Sequence, residues 1–268
     1  MNKEAPIGIF DSGVGGLTVA REIMRQLPGE KLVYFGDTAR VPYGNKSQEN
    51  IIRYSKQILH FLETKEVKMI VIACNTASAL ALEEVREASS VPVIGVVIPG
   101  AKAAVAATHN NHIGVVGTEA TIRSGMYEKV ISQMKPEVTV SAMPCQLFVP
   151  IVEEGFSKHP IADQVIDYYL RPMKEFGVDS MILGCTHYPL LRTKIRDYMG
   201  DGIQIVNPAY ETAMETKRIL EEKELCNDEA APTYEFYVSD AAKKFTQLAN
   251  SILPYDVEKT RQISIEEY

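Results

Sequence analysis

Met69-Ile-Val-Ile-Ala-Cys-Asn-Thr-Ala77 is an apolar run that ends in a cysteine and two polar residues, with Ala-rich helical sequence after it. A short run of this kind, apolar without alternation, reads as a strand buried on both faces of a parallel sheet. Met181-Ile-Leu-Gly-Cys-Thr-His187 repeats the pattern. Each run sets a thiol at the carboxyl end of a buried strand, where open α/β sheets bind ligands.

Around these two runs, other short apolar stretches alternate with longer helical patterns. The first is Ile7-Gly-Ile-Phe10, followed by the turn Asp11-Ser-Gly-Val-Gly-Gly16 and a helix over 17–27. A strand over 32–35 breaks at Gly36-Asp37, and a helix follows over 48–64. The run into Cys74 gives a strand over 69–73 and a helix over 77–87, with Asn75 or Thr76 as its cap. A strand over 93–97 is expected to break at Pro99-Gly100 before a helix over 101–108. The pattern then restarts, with Ile113-Gly-Val-Val116 leading into Gly117-Thr-Glu-Ala-Thr121. Asp11 precedes Cys74 by 63 residues and Thr118 precedes Cys185 by 67, a spacing that reads as an internal repeat.

The fold class expected is α/β, with two pseudo-symmetric halves, mainly parallel central sheets and a cleft between them. Residues 1–98 and 208–268 are assigned to a first domain and 99–207 to a second. The last segment has a helix over 211–224, an acidic irregular stretch around 226–232 and a strand over 235–238. It is assigned to the first domain because the second already has its set of strands.

The chain has 268 residues, 46% of them hydrophobic and 24% charged, the composition of a folded globular protein. It has no apolar run of about 18 residues and no apolar core near its start, so neither a membrane span nor a signal peptide is expected. The reading is a cytoplasmic protein whose four cysteines, at 74, 145, 185 and 226, stay reduced. A net charge of −7 argues against nucleic acid as a partner.

Unpaired N–H groups and the dipole at a helix start favour a thiolate, so Cys74 and Cys185 are expected to have lowered pKa values. The alternative is two small core residues. A zinc site would draw on Cys185 and His187 with Cys74 or Cys145, but no C-x-x-C pair or second histidine motif accompanies them. A Cys185–His nucleophile would leave the matching Cys74 without a role. The Asp11 turn lacks the third glycine of a dinucleotide loop, where Thr18 stands instead. Glu153 and Glu154, taken alone, read as a solvated loop.

Read together, Gly8-Ile-Phe-Asp-Ser-Gly-Val-Gly-Gly16, Tyr34-Phe-Gly-Asp37, Val41-Pro-Tyr-Gly44, Ala73-Cys-Asn-Thr-Ala77, the segment 148–155 and Leu183-Gly-Cys-Thr-His-Tyr-Pro-Leu190 resemble the glutamate racemases. The resemblance implies interconversion of L- and D-glutamate for peptidoglycan synthesis, with no pyridoxal phosphate or metal, by a homodimer. It implies that Cys74 takes the α-proton from D-glutamate and Cys185 from L-glutamate, assisted by Asp11, Glu153 and His187. Substrate contacts carried over by position are Asp11, Ser12, Tyr43, Gly44, Asn75, Thr76, Thr118, Thr121, Thr186 and His187. No Arg stands at any of these positions, so hydroxyls, amides and backbone N–H groups must hold the carboxylates. An aspartate or related amino-acid racemase, or a binding protein of the same fold without the chemistry, is the alternative.

Overall fold

The computed structural model describes residues 2–228 and 232–268; positions 229–231, part of the expected acidic irregular stretch, lie outside the described residues. All five positions of Ile7–Asp11 (β1) are buried, as an apolar run without alternation requires. Then come Leu17–Gln26 (α1), Leu32–Gly36 (β2), Gln48–Glu63 (α2), Met69–Ile72 (β3), Asn75–Ala88 (α3), Val93–Gly95 (β4) and Val97–Ala107 (α4). The second series is His112–Gly117 (β5), Glu119–Arg123 (α5), Met126–Met134 (α6), Thr139–Pro144 (β6), Phe148–Glu153 (α7), Pro160–Glu175 (α8), Ser180–Gly184 (β7), Arg192–Met199 (α9) and Gln204–Val206 (β8). Pro208–Glu222 (α10), Tyr234–Val238 (β9), Ala242–Ile252 (α11) and Thr260–Gln262 (β10) complete the chain.

The strands form two sheets, ordered β10-β9-β2-β1-β3-β4 and β6-β5-β7-β8. Every strand pair is parallel. Without β9 and β10, the two sheets have the same order, and the spacing noted in the sequence acquires a structural meaning. Asp11 ends β1 and Cys74 follows β3, its neighbour; Thr118 follows β5 and Cys185 follows β7, its neighbour.

Helices cover both faces of each sheet. On the first, Leu17, Ile23, Leu220 and Phe245 pack one face and Ile51, Ile58, Leu62 and Leu82 the other. On the second, Ile166, Leu170 and Ile195 oppose Ala104, Val130 and Ile131. Helix α10 lies against both α1 and α4, and so braces the two halves behind the cleft. Among the described residues no helix is long and apolar enough to cross a membrane.

Two local expectations are corrected. The segment Pro99-Gly100 is not a break, since α4 already begins at Val97 and β4 stops at Gly95. Pro99 falls in the first turn, where its missing N–H costs no helical bond. Neither Asn75 nor Thr76 caps α3: Cys74 is the N-cap, with extended backbone and no side-chain cap bond, and its carbonyl accepts from the Ser78 N–H at 2.8 Å.

Candidate active site

Cys74 is carried to the cleft by β3 and held at the first turn of α3, and Cys185 by β7 and the turn that follows. Both are buried, and both line one small cavity of about 30 Å³, room for little more than a water molecule. Ser12, Tyr43, Gly44, Asn75, Thr76, Thr118, Thr186 and His187 share its wall. Asp11, Glu153 and Thr121 do not line it, but each adjoins or bonds a residue that does: Asp11 precedes Ser12, Thr121 meets Thr76 and Thr118, and Glu153 meets His187. The structure adds Val41, Pro42 and Val149, which the sequence reading did not assign to the site. Val149 had a signal: it lies one helical turn before Glu153 on α7, so the two share a face. A groove of about 520 Å³ beside Lys46, Glu119 and Arg123 is far larger, but it carries no thiol.

The two thiols have different surroundings. Burial pushes the Cys74 thiol up to about 12, and the nearby Asp11 carboxylate adds to this, against the opposing pull of the Ala77 N–H and the Ser12 hydroxyl. The lowering expected from the helix start is thus overturned here, because desolvation of a fully enclosed thiolate outweighs the dipole. Asp11 is itself fully buried, and burial raises its carboxyl pKa even though His187 and the N–H groups of Gly16, Gly13 and Ser12 work the other way. Its Oδ2 accepts from Gly13 N at 3.0 Å, while Oδ1 is buried with no hydrogen-bond partner.

On the opposite side, Cys185 is followed by a turn and a short 3-10 segment, Tyr188–Leu191, so it does not sit at the start of an α-helix as its twin does. Its partner is a side chain instead. His187 Nδ1 lies 3.8 Å from Cys185 Sγ, and His187 Nε2 lies 3.1 Å from Glu153 Oε1. Burial opposes an imidazolium, but the hydrogen bonds to Cys185 and Glu153 prevail and push His187 up to about 10. The same bond to His187 holds the Glu153 carboxyl below its ordinary range. Glu153 is therefore not the solvated loop residue that its local sequence suggests.

The sign of this pair fixes a pH window. The His187 proton contributes stability fully below its ordinary value of 6.5, and that contribution fades as pH rises through about 10. The Glu153 contribution is complete above the ordinary carboxyl value and is lost as pH falls through its depressed one. In Glu153→Gln the imidazolium loses its carboxylate, so the alkaline limb of the rate profile is expected to move toward neutrality. Rates measured from about pH 6 to 11 check this; an unmoved alkaline limb would show that Glu153 does not govern the His187 proton.

Hydroxyls and amides bind across the cleft. Thr76 Oγ1 lies 2.9 Å from Thr118 Oγ1 and 3.2 Å from Thr121 Oγ1, and the last two are 2.9 Å apart. Asn75 Oδ1 accepts from the Tyr127 hydroxyl at 2.7 Å, which fixes its amide with NH2 as the remaining donor. No Arg or Lys stands on the cavity wall among the described residues. Nor do any three His, Cys, Asp or Glu among them cluster as metal ligands, and Cys145 is enclosed in the core with Phe148 and Tyr188.

A family model described as Asp/Glu/Hydantoin racemase matches residues 7–216. The glutamate racemase of Geobacter metallireducens is 46% identical, with 97% of this chain and 97% of that protein covered. The crystal structure of a glutamate racemase isoform from Bacillus anthracis superposes with a TM-score of 0.95 at 39% identity, covering 98% of each chain. That of the Francisella tularensis glutamate racemase in complex with D-glutamate gives 0.93 at 38% identity, covering 99% of this chain and 100% of the other. With such identity over nearly the full length of each relative, and a family model that takes in the whole second sheet and four strands of the first, the chain belongs to the Asp/Glu/Hydantoin racemase family, among its glutamate racemases.

Proposed function

We propose that this protein interconverts L- and D-glutamate with Cys74 and Cys185 as acid and base on opposite faces of the α-carbon, without pyridoxal phosphate or metal. The observation that carries this reading is the pair of buried thiols, each delivered by an equivalent strand end to one cavity. The relatives' names and the bound D-glutamate of the Francisella tularensis protein support the substrate.

In the direction from L-glutamate, the Cys185 thiolate, beside the His187 imidazolium, removes the α-proton. Cys74, kept protonated by burial, gives its proton to the opposite face and is left as thiolate while Cys185 becomes the thiol. The reverse sequence serves D-glutamate. Because the thiols exchange one proton through the substrate, apparent pKa values belong to the pair. Asp11 Oδ1, buried and without a partner, is the acceptor suited to the substrate ammonium and to proton relay with Cys74. Ser12, Thr76, Thr118, Thr121, Thr186, the Asn75 amide and the backbone at Tyr43-Gly44 hold the carboxylates, aided by N–H groups at the start of α3.

A cavity of about 30 Å³ cannot take up glutamate as it stands, so the halves part to admit substrate and close to exclude water. The moving units are residues 1–98 with 208–268, and 99–207. The protein works as a homodimer in the cytoplasm and supplies D-glutamate for peptidoglycan, in keeping with its family.

The expected result is decay of the circular dichroism of L-glutamate to zero in the presence of chelator and with no added pyridoxal phosphate. L-Aspartate, run in parallel, is expected to keep its signal. Decay of aspartate alone would overturn the substrate assignment, and decay of neither would leave a binding protein.

A further inference from the structure

Tyr34-Phe-Gly-Asp37 carries a buried acid that the proposed chemistry does not use. Asp37 is completely enclosed, at the end of β2 beside Asp11 at the end of β1. Its Oδ2 accepts from the Tyr43 hydroxyl at 2.5 Å and from Arg40 Nε at 2.7 Å, and its Oδ1 accepts from the Ser239 hydroxyl at 2.8 Å. Three donors on one buried carboxylate make a fixed node, since loss of any one leaves charge without compensation.

This node joins the cavity to the C-terminal segment. Tyr43 is a cavity wall, 1% exposed, and its ring lies 5.7 Å from that of Tyr54. The Arg40 guanidinium stacks on the same Tyr54 ring at 4.0 Å and reaches Glu266 Oε1 at 3.3 Å. Ser239, just beyond β9, also accepts from the Ala39 N–H at 2.8 Å, and Thr38 Oγ1 accepts from the Asp240 N–H at 2.9 Å. The loop 37–45 is therefore tied at its rear to residues that arrive from the far end of the chain.

We infer that Asp37 is a positioning residue for glutamate binding, which accepts the hydrogen bond of the Tyr43 hydroxyl and so sets the Tyr43-Gly44 backbone and the Tyr43 ring against the substrate, with Ser239 and Arg40 holding the carboxylate in place. The Tyr43 hydroxyl is committed to Asp37 and is not a donor to glutamate. Burial and the Asp37 charge both raise its pKa well above that of an ordinary phenol, so the proton stays. The inference rests on the racemase reading and assigns a task to β9 and the C-terminal segment within it.

The test is a double-mutant cycle on Asp37→Asn and Tyr43→Phe, read as KM and kcat for both enantiomers, with Ser239→Ala as a milder arm. Each single change is expected to raise KM about tenfold or more while kcat changes less, in line with loss of a charge-assisted bond. The double variant is expected to be no worse than the poorer single one, since both break the same contact. Ser239→Ala, which leaves the Tyr43 bond in place, is expected to raise KM by a smaller factor. A merely structural role would lower the fraction of folded enzyme and the melting temperature but leave KM of the folded remainder unchanged. That result, or effects of the two substitutions that simply multiply, overturns the inference. Where Asp37→Asn does not fold, Tyr43→Phe and Ser239→Ala decide, and unchanged KM in both overturns it. Wild-type protein that neither racemises glutamate nor is thermally stabilised by D-glutamate would remove the racemase reading first, and the inference with it.

Discussion

Cys74→Ser and Cys185→Ser are each expected to slow racemisation of glutamate roughly a hundredfold to ten-thousandfold in both directions, the usual worth of a positioned acid or base. Both directions suffer because every turnover uses one thiol to take a proton and the other to give one. The fold should survive, since serine matches a buried cysteine closely in size and shape. What distinguishes this from general damage is the half of the chemistry that remains. With an analogue carrying a β-leaving group, abstraction of the α-proton expels that group without any proton delivery to the opposite face. Cys185→Ser keeps the Cys74 base and should eliminate from the D-enantiomer, whereas Cys74→Ser should eliminate from the L-enantiomer. Wild-type racemisation in both single variants would refute the two-thiol mechanism.

Gly15→Ala is expected to cost catalysis far more than it costs folding. A Cβ at Gly15 would lie 2.3 Å from Thr186 Oγ1 and 2.7 Å from His187 Cε1 and Nδ1. Gly15 belongs to the turn after β1 and its would-be neighbours to the turn after β7, so the added methyl would wedge the two sheets apart at the reacting centre. A displacement of about 1 Å at a reacting centre can cost about a hundredfold, and a fall of that order in kcat/KM is expected. The melting temperature should move little, because each sheet keeps its own core. Gly202→Ala, whose Cβ would meet nothing within 4 Å, is the control and should leave activity unchanged. Full activity in Gly15→Ala would mean that the close approach of these turns is not the one used in catalysis.

The legible strands were those buried on both faces and therefore apolar in uninterrupted runs, as over 7–10 and 181–183, whereas Thr139–Pro144 (β6), with no buried position, went unread. The positions of the two thiols followed from the same fact. Less legible were the short elements, where one turn of backbone decides. Pro99 looks like a breaker in sequence, but in the first turn of α4 it obstructs nothing. The electrostatics at Cys74 could not be read from its helix start, because the degree of enclosure, which decides the direction, is set by residues from both sheets. The same holds for Glu153, whose role depends on a histidine 34 positions away in sequence. Asp37 and Ser239 are 202 positions apart, and no periodicity could have paired them.

The unlike helpers of the two thiols, Asp11 on one side and His187 with Glu153 on the other, are constrained by a condition from outside the protein. L- and D-glutamate are mirror images with equal free energies in solution, so their equilibrium constant is unity and kcat/KM must be the same for both directions. No arrangement of side chains can favour one enantiomer overall. The asymmetry of the site can only be divided between saturation and turnover: the enantiomer that binds more tightly must turn over more slowly in the same ratio. The repeated sheet order makes two comparable proton-transfer stations available, and their different neighbours set where each enantiomer's resting population lies, not which one is finally made.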